Sequence, residues 1–292
     1  MNKKYTVTIG VPAYNEECNI KRLLGSIVKQ KESGYVIKSI IVASDGSQDG
    51  TVKEAQTVKD KRVKIIDDKV NRGRIYRLNQ FMRSARADVL VFLDADEELV
   101  DRSSLAKLID EFRADKEVAL VSGNPYFEDD GGFVRRCHKA SHELYTNFRY
   151  KINDGHNVYG CSGGMLALRR DFYTDLQIPE DIYADDTYMY MTCVNRGFKF
   201  RNAKEATIAH YVFTTLATHI RRNKRYASTK NDLRKYFGEK LDEEYKLPKG
   251  LFLKEAIKLF FKKPVYVAGI FLINKYSILR SDYTKKKRKY AY

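Results

Sequence analysis

Asp94 and Asp96 stand one residue apart at the end of the run Asp88-Val-Leu-Val-Phe-Leu-Asp94-Ala-Asp96-Glu97. Acids at that spacing repel each other and lose hydration on burial unless a cation lies between them. Hard oxygen ligands of this kind suit Mg2+ or Mn2+ bridging the phosphates of a substrate. Taken alone, a solvated acidic turn ahead of a helix around Ser103 to Phe112 accounts for Asp-x-Asp equally well. Further residues fit the same chemistry. Asp45, followed by Gly46, is placed to accept a hydrogen bond from the N–H of a base, and the glycine frees the backbone to turn; a simple turn is the plainer reading. Asp185-Asp186 is another acidic pair, ahead of a helix that these carboxylates would also cap.

Such acids need strands to hold them. Val89 to Leu93 is short, apolar and rich in β-branched and aromatic residues, as expected of a strand covered on both faces. Open α/β sheets bind ligands at the carboxyl ends of such strands. Strand-like runs at Thr6 to Val11, Ile40 to Ser44, Val63 to Asp67, Val89 to Asp94 and Ala119 to Gly123 alternate with segments of helical period. That alternation predicts βαβ units and a mainly parallel sheet flanked by helices. Val11-Pro-Ala-Tyr-Asn-Glu16 then follows the first strand, Val42-Ala-Ser-Asp45-Gly-Ser-Gln-Asp49-Gly-Thr51 the second and Asp94-Ala-Asp96 the fourth, so one ligand could touch all of them. The first helix is expected to be capped by Asn15, with Glu16 and Glu17 complementing its dipole and Ile20, Leu23, Leu24 and Ile27 facing the sheet. From Asn124 to Gly160 the pattern fades, which predicts a loop-rich insertion over the sheet edge. Beyond it come Gly160-Cys-Ser-Gly-Gly164, a short strand Met165 to Leu168, a helix to about Arg196 and a strand Phe198 to Asn202.

A chain of 292 residues with 43% hydrophobic side chains supports a real core and excludes wholesale disorder. Cys18, Cys137, Cys161 and Cys193 are far apart, with no Cys-x-x-Cys pair and no signal-type apolar segment at the start. A reducing, cytoplasmic setting is expected. The net charge of +16 is uneven: residues 1–210 carry 33 Lys and Arg against 31 Asp and Glu, and residues 211–292 carry 21 against 7. The asymmetry predicts a domain boundary, with one domain over 1–210 and a basic extension over 211–292 that meets phospholipid headgroups, a phosphorylated acceptor or nucleic acid. In that extension Val265 to Ile273 is far shorter than the roughly twenty residues that cross a bilayer. Leu251, Phe252, Ile257, Leu259, Phe260 and Phe261, interleaved with Lys254, Lys258, Lys262 and Lys263, instead predict an amphipathic helix, and Lys285-Lys-Lys-Arg-Lys289 adds polybasic charge. That apolar face either lies on an anionic membrane or docks on the first domain.

The ordered series Pro12-Ala-Tyr-Asn-Glu16, Asp45-Gly46, Asn71-Arg-Gly73-Arg74 with Asn79, Asp94-Ala-Asp96 and Asp185-Asp186 resembles the inverting family 2 glycosyltransferases of GT-A fold, over about residues 5–211. The resemblance implies a nucleotide-diphospho-sugar transferase: a Rossmann-like α/β sheet flanked by helices, here with a basic helical C-terminal extension. It implies that Pro12, Ala13, Tyr14 and Glu16 line the base and ribose, that Asp45 holds the base, and that Asp94 and Asp96 serve the ribose and a metal-bound diphosphate, with Asp96 the chief metal ligand. Arg74 stands where the family often has lysine; with Arg72 and Arg77 it could meet a diphosphate by forked hydrogen bonds, although a solvated helix face explains these arginines as well. Asp186 is expected as the base that deprotonates the acceptor, with Asp185 beside it where the family more commonly has glutamate. Gly163-Gly164 is similar to the family's acceptor-side loop. His210 falls where some members place a third metal ligand, though a histidine at a strand end also serves structure. Arg222-Asn-Lys-Arg225-Tyr226 is loosely similar to a motif of polymerising members.

The reading is therefore a divalent-metal-dependent inverting transferase, peripheral on the cytoplasmic face of a membrane, using a nucleoside-diphosphate sugar, with UDP favoured, and a lipid-linked or saccharide acceptor. A nucleotidyltransferase would share the sheet and the metal but usually carries a glycine-rich phosphate loop where Pro-Ala-Tyr-Asn-Glu stands. Nucleic acid is not the expected partner, although Tyr226, Tyr236, Tyr245 and Tyr266 among lysines would suit single strands.

Overall fold

In the computed structural model, residues 4–126, 131–210, 217 and 231–279 are described. Among the described residues eight strands form one sheet: β1 (Tyr5–Ala13), β2 (Tyr35–Asp45), β3 (Val63–Asp68), β4 (Val89–Leu93), β5 (Glu97–Leu99), β6 (Val118–Tyr126), β7 (Met165–Arg169) and β8 (Lys199–His210). Their order is β3-β2-β1-β4-β7-β6-β8-β5. The half from β3 to β4 is parallel, as the alternation predicts. Past β4 the sheet is mixed, because β7 runs antiparallel to both β4 and β6, and β5 antiparallel to β8.

Helices α1 (Ile20–Val28), α2 (Thr51–Gln56), α3 (Arg74–Ser84), α4 (Ser104–Ala114), α6 (Arg170–Tyr173) and α7 (Asp185–Asn195) connect the strands. The sheet has a core on each face. Val89, Val91 and Leu93 of β4 pack with Leu23 and Leu24 of α1 and Leu108 and Phe112 of α4. Leu90 and Phe92 point the other way, onto Leu78 and Phe81 of α3 and Met189 of α7. This period-2 division explains why β4 reads as a continuous apolar run, each fully buried side chain contributing ~2 kcal/mol. Gly10 of β1 lets α3 approach, since a Cβ there would lie 2.7 Å from the Phe81 ring.

Two expectations are corrected. The segment from Asn124 to Gly160 is not loop-rich: it carries α5 (Phe133–Arg149), whose Cys137, Ala140, Leu144 and Phe148 are buried. Nor does Asn15 cap α1. That helix starts after Asn19, and Asn15 takes a left-handed backbone (φ 56°) in the loop before it.

Residues of the basic extension pack on the rest. Leu233 and Leu241 are buried in the α3/α7-side core, and the Tyr159 hydroxyl donates to the Tyr245 carbonyl at 2.7 Å. The helices Leu251–Lys262 and Pro264–Leu279 form a pair whose Ala256, Leu259 and Val267 pack on Ala140 and Leu144 of α5. Lys151 pairs with Glu255, and Lys263 with Glu143 at 2.8 Å. The apolar residues thus divide between faces, with Leu253, Ile257, Phe260, Phe261, Val265 and Leu272 exposed, Phe261 by 81%. Among the described residues no helix is long and apolar enough to cross a membrane. Arg222, Arg225, Tyr226 and Lys285 to Lys289 lie outside the described residues.

Candidate active site

The loops after β1 and β2 are tied together by polar contacts. Asn15 Oδ1 accepts from the Gln48 amide at 2.8 Å, Glu17 Oε2 from the Gly50 amide at 2.8 Å, and Thr51 Oγ1 from the Glu16 amide at 2.7 Å. Pro12 and Ala13 are buried at the end of β1, and Tyr14 and Glu16 are half-buried just beyond it. Gly46 (φ 75°) turns the chain so closely over the next loop that a Cβ would sit 2.8 Å from the Asn71 nitrogen.

Asp45 ends β2 fully buried, and it is already employed. Its carboxylate accepts from the backbone amides of Arg72 at 3.0 Å and Gly73 at 2.8 Å, and from Arg77 Nε at 2.7 Å. It therefore braces the loop that leads into α3, with lone-pair capacity left for a ligand donor. Arg77, whose other amino group reaches Asp68 at 2.7 Å, is 0% exposed and is not available to a diphosphate. Asn79 is likewise structural, exchanging hydrogen bonds with the backbone of Ile178 at 2.8 and 2.9 Å. Arg72 is half exposed and lies 3.3 Å from Asp68.

Arg74, at the first turn of α3, joins the two acidic pairs. One end of its guanidinium pairs with Asp94 after β4, and its Nε lies 3.3 Å from Asp185 at the start of α7. Burial opposes its charge, but the Asp185 and Asp94 carboxylates more than offset this and raise its pKa. Gly163 closes the gap between these groups: a Cβ there would be 3.7 Å from Asp186 Oδ2 and 3.9 Å from Arg74 Nη2. Asp186 Oδ1 accepts from the Thr187 amide at 2.6 Å. Burial and then the Asp185 charge push the Asp186 carboxyl up to about 6.

On the other side of Asp94 lies a mixed cluster. Asp96, Glu97 and His210 bring their ligand atoms within 4.8 Å of one another. His210 Nδ1 is 2.8 Å from Glu97 Oε1 and 4.0 Å from Asp96 Oδ2. The backbone brings them there, because β5 and β8 pair with Glu97 opposite His210. Glu97 is buried, with Oε2 lacking a hydrogen-bond partner. Burial, opposed by His210, pushes its pKa up to about 7. Burial also raises Glu16 to about 7, with the Asp96 and Asp94 charges adding to it, and raises Asp94, with Asp96 and Asp185 adding and Arg74 opposing. Crowded carboxylates with raised pKa values and an orphaned buried oxygen fit a divalent cation, whose charge would reverse each shift. Carboxylate oxygens with one imidazole suit Mn2+ or Mg2+.

The structure thus brings Asp94 and Asp96 after β4, Gly163 before β7, Arg74 at the start of α3 and Asp185 and Asp186 at the start of α7 together, with His210 beside Asp96. Glu97 was missed by sequence reasoning. It reads as the third acid of a turn, and only the long-range pairing of β5 with β8 shows that it points inward.

The profile of Glycosyl transferase family 2 matches residues 8–176. Among curated proteins, the chain is 33% identical over 120 residues to a poly-beta-1,6-N-acetyl-D-glucosamine synthase of Staphylococcus aureus (strain MSSA476), covering 41% of this chain and 28% of that protein. It is 32% identical over 178 residues to the 4,4'-diaponeurosporenoate glycosyltransferase of Staphylococcus aureus (strain bovine RF122 / ET3-1), covering 58% of this chain and 45% of that protein. The chain therefore spans less than half the length of either relative. Among solved structures, a mannosyltransferase from Pyrobaculum calidifontis in complex with GDP-Man and Mn2+ superposes with a TM-score of 0.62 at 21% identity, over 95% of this chain and 73% of that one. Glucosyl-3-phosphoglycerate synthase from Mycobacterium tuberculosis, in complex with Mn2+, UDP and glucosyl-3-phosphoglycerate, gives 0.56 at 18% identity, over 80% of each chain. These likenesses bear on the fold, which is that of the GT-A glycosyltransferases. With the family profile covering more than half of its length, the chain belongs to glycosyl transferase family 2.

Proposed function

We propose that this protein is a metal-dependent inverting glycosyltransferase that moves a sugar from a nucleoside-diphosphate sugar, UDP-linked by preference, to a lipid-linked or glycan acceptor at a membrane surface. One observation carries the reading: Arg74 bridges Asp94 and Asp185, with Asp186 and Gly163 beside it. A cation for phosphate and acids for metal and base thereby stand together.

We assign the roles accordingly. Pro12, Ala13, Tyr14, Glu16 and Asp45 face the nucleoside. Arg74 exchanges its carboxylate partners for the diphosphate, with Asp94 beside it. Asp96, with Asp94 and His210, holds the cation, which when bound stabilises charge on the departing diphosphate. Asp186 takes the proton of the acceptor hydroxyl at Oδ2, since the Thr187 amide occupies Oδ1. Asp185 keeps that carboxylate basic and orients Arg74. Residues 1–210 form the catalytic unit in this reading, and 211–292 the acceptor and membrane-facing extension.

Lys254, Lys258 and Lys262 stand among the exposed Leu253, Ile257, Phe260 and Phe261, which supports contact with an anionic phospholipid surface on the cytoplasmic side. The neighbours solved with GDP-Man and with UDP, both with Mn2+, support a nucleotide–metal pair and leave both bases to be tested. Calorimetric titration with UDP and GDP, each with and without Mn2+, is the test. Mn2+-dependent binding of one is expected; a folded protein that binds neither overturns the reading.

A further inference from the structure

The basic extension reaches Asp186. Tyr245, at the end of the helix Glu239–Glu244, brings its hydroxyl within 3.3 Å of Thr187 Oγ1. Thr187 Oγ1 lies 3.4 Å from Asp186 Oδ1, the oxygen that also accepts from the Thr187 amide. A threonine hydroxyl carries one proton, and an ionised carboxylate only accepts. With that proton given to Asp186, the Thr187 oxygen is left to accept from Tyr245. The relay therefore runs from Tyr245 through Thr187 to Asp186. Burial pushes the Tyr245 phenol up to about 12, so the proton it supplies is present at neutral pH. Thr187 is buried, and water competes little with Tyr245 for its hydroxyl.

Tyr245 is fixed in place by its own neighbours. Tyr159 stands edge-on to its ring, with centres 5.4 Å apart, and donates its hydroxyl to the Tyr245 carbonyl at 2.7 Å. Tyr190 of α7 donates to Glu244 at 2.6 Å. Tyr159 packs in turn on Phe148 of α5, at 5.2 Å between ring centres, and Phe148 on Phe252 of the helix Leu251–Lys262, at 5.7 Å. A phenyl ring would pack against Tyr159 as well as a phenol does; the hydroxyl adds the contact with Thr187.

We infer that Tyr245 is a positioning residue for Asp186, acting through the Thr187 hydroxyl, and, resting on the reading proposed above, that it holds Oδ1 so that Oδ2 meets the acceptor. Oδ2 is the oxygen turned towards Gly163, 3.7 Å from where a Cβ would stand. A residue of the extension thereby completes the setting of the base. Among the described residues, the titratable groups that face Asp186 are Asp185 on its own helix, Arg74 of α3, Cys161 ahead of β7 and Tyr245. Donation to the charged carboxylate favours it, so the relay works with Arg74 against burial and Asp185.

The test is urea unfolding of the full chain from about pH 4 to about pH 8, with and without Asp186→Asn. The stability that Asp186→Asn gains over wild type grows with pH and levels at the folded pKa of Asp186. In a Tyr245→Phe background the levelling point should move up by roughly 0.3–0.5 pH unit, because a donor to the charged form is lost. Thr187→Val, which keeps the amide, should move it at least as far, and adding Tyr245→Phe should move it no farther. Thr187→Ser, which keeps the hydroxyl, should leave it in place. A levelling point unmoved by Tyr245→Phe, or moved equally with Thr187→Val already present, overturns the relay. So does one unmoved by Thr187→Val, should the phenylalanine variant fail to fold. Hydrolysis of UDP-glucose or GDP-mannose with Mn2+, in which water takes the acceptor's place, is the second readout. Tyr245→Phe should lower kcat ~3- to 10-fold, leave the donor KM within about twofold and shift the acid limb of the rate profile up. An unchanged kcat and acid limb overturn the positioning role. A moved levelling point in a chain that binds neither UDP nor GDP with Mn2+ keeps the relay and removes the transferase reading.

Discussion

Asp186 occupies a position that favours proton transfer at the expense of folding, and the two can be separated by one substitution. Its carboxyl is pushed from the ordinary 3.8 up to about 6, by burial and then by Asp185. Because the folded value lies above the unfolded one, the charged form is the one that folding disfavours. The penalty is absent below about pH 4, grows as pH rises towards 6 and is complete above it. A rise of that size is worth at most ~3 kcal/mol. Asp186 is half-buried and shares the repulsion with Asp185, so ~1–2 kcal/mol is the expected cost. Asparagine at this position keeps an oxygen for the Thr187 amide, now 2.6 Å from Oδ1, and carries no charge. Asp186→Asn should therefore be more stable than wild type by ~1–2 kcal/mol in urea at pH 8 and equal to it near pH 4. Release of nucleoside diphosphate during transfer should fall by ~10^2 to 10^4, with donor affinity changed less than about twofold, and the wild-type rate should climb with pH up to about 6 and then level. A variant less stable at pH 8 would refute the electrostatic argument; transfer at the wild-type rate would move the base elsewhere.

Asp96→Ala should abolish the Mn2+ dependence of nucleotide binding in calorimetry, and His210→Ala should weaken Mn2+ ~10- to 100-fold; unchanged metal titrations remove them from the metal site. Asp45→Ala strands the buried Arg77 and should lower the unfolding free energy by ~3–5 kcal/mol, so a loss under ~1 kcal/mol in urea would show that Asp45 is not the brace described. Phe261→Glu with Leu272→Glu, both on the exposed face, should cut co-sedimentation with phosphatidylserine-containing vesicles at least ~10-fold and leave nucleotide binding intact; equal co-sedimentation argues against the membrane surface.

The parallel half of the sheet and the acids at its ends were legible because both follow from local pattern: β4 alternates between two cores, and an α/β sheet exposes its strand ends to ligands. What escaped depends on distant partners. The buried positions Cys137, Ala140, Leu144 and Phe148 of α5 recur at helical spacing, but Arg135 and Arg136 before them and Lys139 and Glu143 between them mask the stripe, half of which is completed by the helices after residue 250. Arg77 resembles its neighbours in composition, yet it is four residues before Phe81 and so lies on the buried face of α3. Glu97 becomes distinct from Glu98 only when β8 pairs beside it. Asn15 has the residue type of a cap but works across the gap to Gln48.

That gap has a consequence for how a nucleotide arrives. The loops after β1 and β2 hold each other through Asn15, Glu17 and Thr51 with no ligand between them. Their disorder was removed when the chain folded, so binding has little of it left to remove. The jaw should capture its ligand at a rate set by diffusion and desolvation, and amide exchange at Gln48 and Gly50 should be slow in the free protein and scarcely slower in the bound one. The response to nucleotide would then appear across the cleft, where Arg74 must let go of Asp94 and Asp185.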